Sequence, residues 1–245
     1  MKTRIPFLLL FTLAAAFSLS AEVSADKLKA FVDSVLYSGN AGLNFVLAGK
    51  SVTIDPVGSK FKGPTDVVLV THNHSDHFSG AVIRRIYQEE TWLLGPKSVT
   101  ATFETAHHAN LKVAIPGETF VLGDLKITPV PAYNFKDDKG VTRPHSKDYG
   151  WVGYVLEGDG MSVYVTGDTQ RIPEMKSIHA DIIFLPLGQT YTMPSVEDAV
   201  AAAQDVGARV AVPIHWGLYE GTQADFDRFK SLAEPGITVI LKERR

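Results

Sequence analysis

The chain of 245 residues contains no cysteine. That absence excludes disulfide bonds, thiolate ligands to zinc and a cysteine nucleophile. It also excludes a lipoprotein anchor, since no cysteine follows the apolar segment at the start of the chain. A chain without cysteine is compatible with an oxidising compartment, but the absence does not establish one.

An excess of charge of one sign is also missing, because the formal net charge is only −3. The charge therefore gives no reason to expect nucleic acid as an obligatory partner. No internal repeat or low-complexity segment is visible. A hydrophobic content of 45% in 245 residues is enough for one sizeable domain with its own core.

The first residues predict a signal peptide. A short basic stretch precedes the apolar segment Ile5–Phe17, which is too short to span a membrane comfortably. Small residues follow it, and we expect cleavage before Ala21 or before Asp26. We divide the chain into a signal peptide at 1–25 and a single domain at 26–245. The mature protein is expected to be periplasmic or secreted without a stable membrane anchor; an uncleaved anchor is the alternative.

The most informative segment has three histidines and one aspartate within six consecutive positions. It follows an apolar run at 66–70 that is typical of a buried strand. Because alternate side chains of an extended chain share a face, His72 and His74 can converge on one metal ion. A turn after them lets Asp76 and His77 point at a second position. The segment therefore predicts ligands for two metal ions.

Three further candidate ligands come later in the chain. Asp168 follows an apolar run and a glycine that permits close backbone approach, so its carboxylate could bridge both ions. His215 ends another apolar run, and His145 lies in a polar, irregular stretch. Taken singly, each has an ordinary explanation: a turn or helix-capping aspartate, a structural histidine at a strand end, and a solvated loop histidine.

Hydrophobic periodicity predicts the order of the elements. Strands come first in meanders, and later strands alternate with helices, which indicates two packed sheets flanked by helices in one domain. We predict helices at 26–36, 80–90, 196–206 and 222–232. We predict strands at 43–47, 51–55, 67–71, 91–94, 119–122, 125–129, 151–156, 161–166, 181–187, 210–214 and 237–241.

The ordered ligand set resembles that of the metallo-β-lactamase superfamily. Further motifs are similar to its branch of ascorbate-phosphate-lactonase-like metal-dependent hydrolases, over about 35–217. The residues in this resemblance are His72-x-His74-x-Asp76-His77, His145, Gly167-Asp168-Thr169, Pro213-Ile214-His215, Ile54-Asp55-Pro56, Pro131-Ala132-Tyr133-Asn134, Leu185-Pro186-Leu187-Gly188 and Tyr191-Thr192-Met193.

The resemblance implies an α/β fold, an αββα sandwich of two mixed β-sheets flanked by helices, with the site at one edge. It implies two metal positions joined by Asp168. The ligands would be His72, His74 and His145 for one metal, and Asp76, His77 and His215 for the other. The interval around the Tyr133–Asn134 motif varies within the family, so Asn134 could be mistaken for the ligand position that His145 fills. Three other histidines, His107, His108 and His179, match no motif and are expected at the surface.

The resemblance further implies an exported hydrolase that uses a metal-bridging hydroxide on a lactone, a phosphodiester or another ester. Two divalent ions would be the cofactors, with Zn²⁺ expected and Mn²⁺ or Fe²⁺ also suited to the ligands. Asp76 would be catalytic as well as a ligand, relaying a proton to the leaving group. The only partner expected is a small-molecule substrate, and the oligomeric state is not predicted.

Residues near the ligands have predicted supporting roles. Asp55 and Asp66 could accept hydrogen bonds from metal-binding imidazoles, and either could equally be a turn carboxylate. Five residues could line a substrate pocket or simply pack: Tyr133, Asn134, Thr190, Tyr191 and Trp216.

Other functions remain open from sequence. The chain could be a non-catalytic exported metal-binding protein. A diiron oxidoreductase on the same scaffold would normally need a flavin-binding partner domain, for which the chain has no room. A β-lactamase is disfavoured, because lactamases generally lack the bridging carboxylate that Asp168 supplies.

Overall fold

The structure is a computed structural model that describes residues 22–103, 110–135, 144–188 and 190–243. The predicted signal peptide before residue 22 lies outside the described residues, as do His107 and His108. Within the described part of the chain, no helix is long and apolar enough to cross a membrane.

Two sheets form the centre of the domain. The first contains six strands in chain order, and only its first three strands are antiparallel neighbours. Its strands are β1 (Leu36–Tyr37), β2 (Leu43–Leu47), β3 (Lys50–Ile54), β4 (Val67–Leu69), β5 (Trp92–Gly95) and β6 (Leu111–Val113). From β3 to β6 the neighbours are parallel, so these strands end at the same edge of the sheet.

The second sheet contains seven strands in the order β13-β12-β11-β10-β9-β8-β7. They are β7 (Phe120–Leu122), β8 (Leu125–Pro131), β9 (Val152–Gly158), β10 (Met161–Val165), β11 (Ile182–Pro186), β12 (Val210–Ile214) and β13 (Thr238–Val239). Strands β7 to β10 form an antiparallel meander, and β10 to β13 are parallel.

In the described ranges, five α-helices accompany the sheets: α1 (Ala25–Ser34), α2 (Gly80–Ile86), α3 (Lys97–Thr100), α4 (Val196–Asp205) and α5 (Gln223–Ala233). Short 3₁₀ turns lie at Lys147–Tyr149 and Pro173–Ser177. Side chains that accept backbone N–H groups begin the longer helices, as Ser195 does for α4.

Three hydrophobic clusters hold the layers together. The largest fills the space between the sheets and includes residues of α1 such as Leu28 and Val32. A second packs α4 and α5 on the outer face of the seven-stranded sheet, and a third packs α2 and α3 on the six-stranded sheet. The observed layers are therefore α, β, β and α, which confirms the predicted fold.

Some predicted boundaries were wrong. The first helix ends at Ser34 rather than at residue 36, since Leu36 already pairs with Asn44 in the sheet. The helix α2 ends at Ile86 rather than at residue 90, because the hydroxyl of Thr91 accepts the N–H of Gln88 and turns the chain. The short elements β1, α3 and β6 were not predicted, since each has too few residues to show a period.

Candidate metal centre

All seven predicted metal ligands converge at one edge of the sandwich. His72 follows β4, Asp168 follows β10 and His215 directly follows β12. His145 enters from the segment before β9. β4 is parallel to β3 and β5 in one sheet, and β10, β11 and β12 are parallel to one another in the other. The carboxyl ends of these strands therefore present side chains at one edge of each sheet.

The carboxylate of Asp168 lies at the centre of the cluster. Its Oδ2 is 3.3 Å from Nε2 of His145 and 3.3 Å from Nε2 of His215. Its Oδ1 is 3.3 Å from Nε2 of His77, and Nε2 of His72 is 3.8 Å from Oδ2. One carboxylate thus faces imidazoles from both predicted metal groups.

The side chains fall into the two groups that the resemblance implied. His72, His74 and His145 form one, and Asp76, His77 and His215 form the other. A third group, made of His72, His77 and Asp168, lies between them. In each group one donor atom per residue lies within 4.8 Å of the others, which is close enough for shared coordination of a cation.

Unpaired buried atoms also fit a metal. Nε2 of His72 is buried without a hydrogen-bond partner among the described residues. The Nε2 atoms of His77 and His145 face the Asp168 carboxylate, at 3.3 Å, and neither contact has the geometry of a full hydrogen bond. Leaving buried polar atoms unpaired costs about 1–3 kcal/mol each. A divalent cation in this cluster would remove that cost, so the residues present fit the metal ions that the fold family implies.

Asp55 fixes the orientation of His77. It follows β3, and its Oδ2 lies 2.8 Å from Nδ1 of His77. The same carboxylate accepts the backbone N–H and the hydroxyl of Thr71. Asp55 adopts a φ of 47°, a left-handed conformation that is rare outside glycine and is held here by these bonds. The predicted role of Asp55 is therefore what the geometry shows.

Asp66 does not have that role. It lies at the opposite end of β4 from the histidines, is exposed, and accepts the backbone N–H of Ser51. Because it precedes the strand instead of following it, the length of β4 separates it from the ligands.

His145 is held by the loop after β11. Its Nδ1 lies 3.1 Å from the carbonyl oxygen of Tyr191 and 3.0 Å from Nδ2 of Asn134. Asn134 also donates to that carbonyl and is buried behind the imidazole. Of the two alternative ligand positions, the structure places His145 in the metal group and Asn134 behind it.

Glu220 is a functional candidate that sequence analysis missed. Its buried carboxylate lies 3.1 Å from Nδ1 of His215. It also accepts the backbone N–H groups of Thr190 and Tyr191 and the hydroxyl of Thr192. No apolar run precedes Glu220, so nothing in the local sequence marks it as buried.

The pKa values differ between the two groups. Burial, reinforced by neighbouring imidazoles, lowers the pKa of His72 and of His74, so both favour the neutral form that binds metal. The pKa of Asp76 falls to about 2, because burial is outweighed by the hydrogen bond from His215 and the charge of His77.

In the second group the imidazoles favour the charged form. Burial would lower the pKa of His77, but the carboxylates of Asp168 and Asp55 outweigh it and raise the pKa to about 10. Asp168, Asp76 and Glu220 likewise outweigh burial and raise the pKa of His215. Burial is outweighed in the same way at Asp168, whose pKa lies well below its usual range beside His215 and His77. Without metal, this group is a network of buried ion pairs.

A cavity of about 460 Å³ opens onto the ligands. Beside the ligand side chains, Ser75, Pro144, Tyr191 and Tyr219 line it. Of the predicted lining residues, Tyr191 is therefore placed correctly.

The other predicted lining residues have structural contacts. Tyr133 is buried and donates its hydroxyl to Glu174, while Trp216 stacks on Phe226. Asn134 lies behind His145, and Thr190 contributes its backbone N–H to Glu220. None of these four lines the cavity at the metal centre.

Two further ring side chains differ in their relation to the site. Trp151 packs its ring against the imidazoles of His72 and His74, with centroid distances of 4.7 and 4.8 Å. His179 is exposed and far from the ligand groups in sequence and contacts, as its lack of a motif predicted.

Known proteins share both sequence and fold with the chain. A family model described as a beta-lactamase superfamily domain matches residues 39–216. A UPF0173 metal-dependent hydrolase of Methanoregula boonei is 34% identical over 200 residues, which cover 76% of this chain and 83% of that protein.

Solved structures agree. A crystal structure from Parabacteroides distasonis is 30% identical, with a TM-score of 0.73 over 86% of this chain and 93% of that one. Igni18, a metallo hydrolase of the archaeon Ignicoccus hospitalis, is 25% identical, with a TM-score of 0.68 over 86% and 94%. The chain therefore belongs to the beta-lactamase superfamily and is a metal-dependent hydrolase of the metallo-β-lactamase fold.

Proposed function

We propose that the mature protein is an exported hydrolase with two metal ions, and that it cleaves lactone, phosphodiester or other ester bonds. The observation that supports two ions is the position of Asp168. Its carboxylate faces His145 of one ligand group and both His77 and His215 of the other at 3.3 Å. A carboxylate in that position can bind two cations at once.

When bound, a pair of divalent cations supplies a water nucleophile of lowered pKa and polarises the scissile carbonyl or phosphoryl group. We favour Zn²⁺, with Mn²⁺ and Fe²⁺ as alternatives that the same ligands accept. His72, His74 and His145 would hold one ion, and Asp76, His77 and His215 the other. Asp168 would contact both.

Asp76 is the residue proposed to move a proton. Its side chain is 26% exposed, against 5% or less for His145, Asp168 and His215 in the same cluster. It lines the cavity, so a substrate atom can reach it. Its carboxylate is ionised at neutral pH, and we assign it the transfer of a proton from the nucleophile to the leaving oxygen.

The proposal is tested with the zinc-loaded mature protein and three substrates: phenyl acetate, a γ-lactone and bis(4-nitrophenyl) phosphate. We expect turnover of at least one, lost on chelation and reduced at least about 100-fold in Asp168→Ala. An exposed variant, His179→Ala, is the matched control and should keep full activity. A protein that binds two metal ions but cleaves none of the three classes would instead favour the non-catalytic metal-binding function.

Of the two predicted cleavage sites, we propose that the signal peptide is cut before Ala21, which places the start of the mature domain at residue 21 instead of residue 26. Contacts of the residues after that position support it. The Ser24 side chain accepts the N–H of Lys27 and begins α1, and Arg209 donates to the carbonyl of Val23 at 2.6 Å. Cleavage before Asp26 would remove both contacts. N-terminal sequencing of the exported protein should begin at Ala21; a start at Asp26, or an uncleaved chain, would contradict this.

A further inference from the structure

A second cavity adjoins the one at the metal centre. It has a volume of about 350 Å³ and shares Ser75, Asp76 and Tyr219 with the first. Asp76 therefore lines both cavities. The metal centre opens into a depression with two arms, one next to Tyr191 and one that leads away from it.

The two arms differ in chemistry. The first arm has Pro144 and Tyr191 as its walls beyond the ligands. Beyond the shared residues, the second arm is lined by the polar side chains of Ser38, Asn40 and Lys60 and by Gly39, Val57 and Leu218. Among the described residues that line either arm, Lys60 alone has a permanent positive charge.

Lys60 is held at the wall of its arm. Its side chain is partly buried, and its Nζ donates to the carbonyl of Ser38 at 3.3 Å. An ammonium group has three N–H donors, so two are left for a ligand. The neighbouring amide of Asn40 donates to the Asp76 carboxylate at 3.1 Å, so Asn40 connects this arm to the metal-ligand cluster.

We propose that the second arm, which we call the Lys60 arm, binds an anionic oxygen group on the leaving-group side of the substrate. This inference rests on the proposed function, since Asp76 would pass a proton to the leaving oxygen at the junction of the arms. In the cleavage, water adds to the acyl or phosphoryl centre, the bond to the leaving oxygen breaks, and that oxygen takes the proton. A carboxylate and a phosphate monoester share the chemistry that Lys60 recognises.

The test compares variants on matched substrates: phenyl acetate, 3-acetoxybenzoate and 3-acetoxyphenyl phosphate. We expect Lys60→Met to lower kcat/KM for the two anionic esters about tenfold, the size of one charge-assisted hydrogen bond, and to leave phenyl acetate unchanged. Lys60→Arg should retain most of the wild-type kcat/KM for the two anionic esters, because the positive charge is kept. Lys62→Met is the control, since Lys62 is exposed and lies outside both arms. A loss with only one anionic ester would identify the group that the arm binds.

Binding separates the two proposals. Calorimetry on the zinc-loaded protein compares 3-acetamidobenzoate with acetanilide, in which an amide replaces the ester. Tighter binding of the acid, lost in Lys60→Met, would support the Lys60 arm even if no ester were cleaved and the proposed function failed. Equal behaviour of wild type, Lys60→Met and Lys62→Met in both assays would overturn the Lys60 arm, while turnover of phenyl acetate would leave the proposed function standing.

Discussion

At the scale of single residues, a contact at Nδ1 of a site histidine fixes the direction in which its Nε2 points. Contacts at Nδ1 leave Nε2 directed at the cluster in four of them. The four contacts are His72 with the Thr71 hydroxyl, His77 with Asp55, His145 with the Tyr191 carbonyl and His215 with Glu220. Such contacts set the tautomer and the ring orientation of a metal ligand.

Asp55→Asn tests one of these contacts. Asparagine tolerates the left-handed φ of 47° at this position, so the backbone should survive. The amide N–H₂, however, must face a donor, either His77 Nδ1–H or a donor of Thr71. We expect the metal ion at Asp76, His77 and His215 to bind about 10- to 100-fold more weakly and the other ion to be unaffected. Competition with a chelator measures both affinities.

The control for that variant is Asp66→Asn at the other end of β4, which should bind both metal ions as the wild type does. Equal affinity in Asp55→Asn and the wild type would show that the contact does not orient His77 for metal binding.

The raised pKa values predict how metal affinity depends on pH. His77 has a pKa of about 10, so at pH 7.5 it holds a proton that a cation must displace. The pKa of His215 is also raised, by the carboxylates of Asp168, Asp76 and Glu220, which favours its charged form. His72 and His74 have lowered pKa values and are already neutral there. Affinity for the ion at Asp76, His77 and His215 should therefore rise with pH above 6.5, about tenfold per unit for each proton released.

Affinity for the other ion should change little over the same range. Calorimetry between pH 6.5 and 8.5, in buffers of different ionisation enthalpy, measures the protons released with each equivalent. If neither metal equivalent released protons on binding, the histidines around Asp168 would not carry the protons that we predict.

At the scale of elements, the loops after β11 and β12 act together. Glu220, in the loop after β12, binds the backbone of Thr190 and Tyr191 in the loop after β11. The carbonyl of Tyr191 in turn contacts His145. The fit is close, because a Cβ on Gly188 would lie 1.8 Å from Cδ of Glu220. Glu220 thus links His215 of one ligand group to His145 of the other.

Glu220→Gln tests that link. Glutamine has the same size, but its N–H₂ group must face either His215 Nδ1–H or the N–H groups of Thr190 and Tyr191. We expect the affinity for both metal ions to fall about tenfold or more, because the loop that holds His145 shifts as well. Glu234→Gln, at an exposed position after α5, is the control. Weakening of a single ion, or of none, would contradict the link between the loops.

The strands that end at the site could be predicted from the sequence, but the contacts made by the loops between them could not. His72, Asp168 and His215 were predictable because each follows an apolar run, and runs of that kind become strands whose carboxyl ends meet. Glu220 was not, since its partners are backbone groups of a distant loop. The sheet edge at β6 was missed because its three residues are partly exposed and show no alternation.

At the scale of the whole molecule, the two sheets form one site from both halves of the chain. The six-stranded sheet supplies His72, His74, Asp76 and His77, and the seven-stranded sheet supplies Asp168 and His215. Their separation is fixed by the cluster of buried side chains between the sheets, which includes Leu69 and Val165 beside the ligand segments. Correct packing of the sandwich is therefore a condition for bringing the two ligand groups together.

The most direct measurement is the metal content of the mature protein by mass spectrometry, for wild type, Asp168→Ala and His145→Ala. We predict close to two equivalents in the wild type and fewer in both variants, because Asp168 faces both ligand groups and His145 belongs to one. Two equivalents in His145→Ala would remove that residue from the ligand set. One equivalent or none in the wild type, after reconstitution with Zn²⁺, Mn²⁺ and Fe²⁺, would contradict the two-metal site.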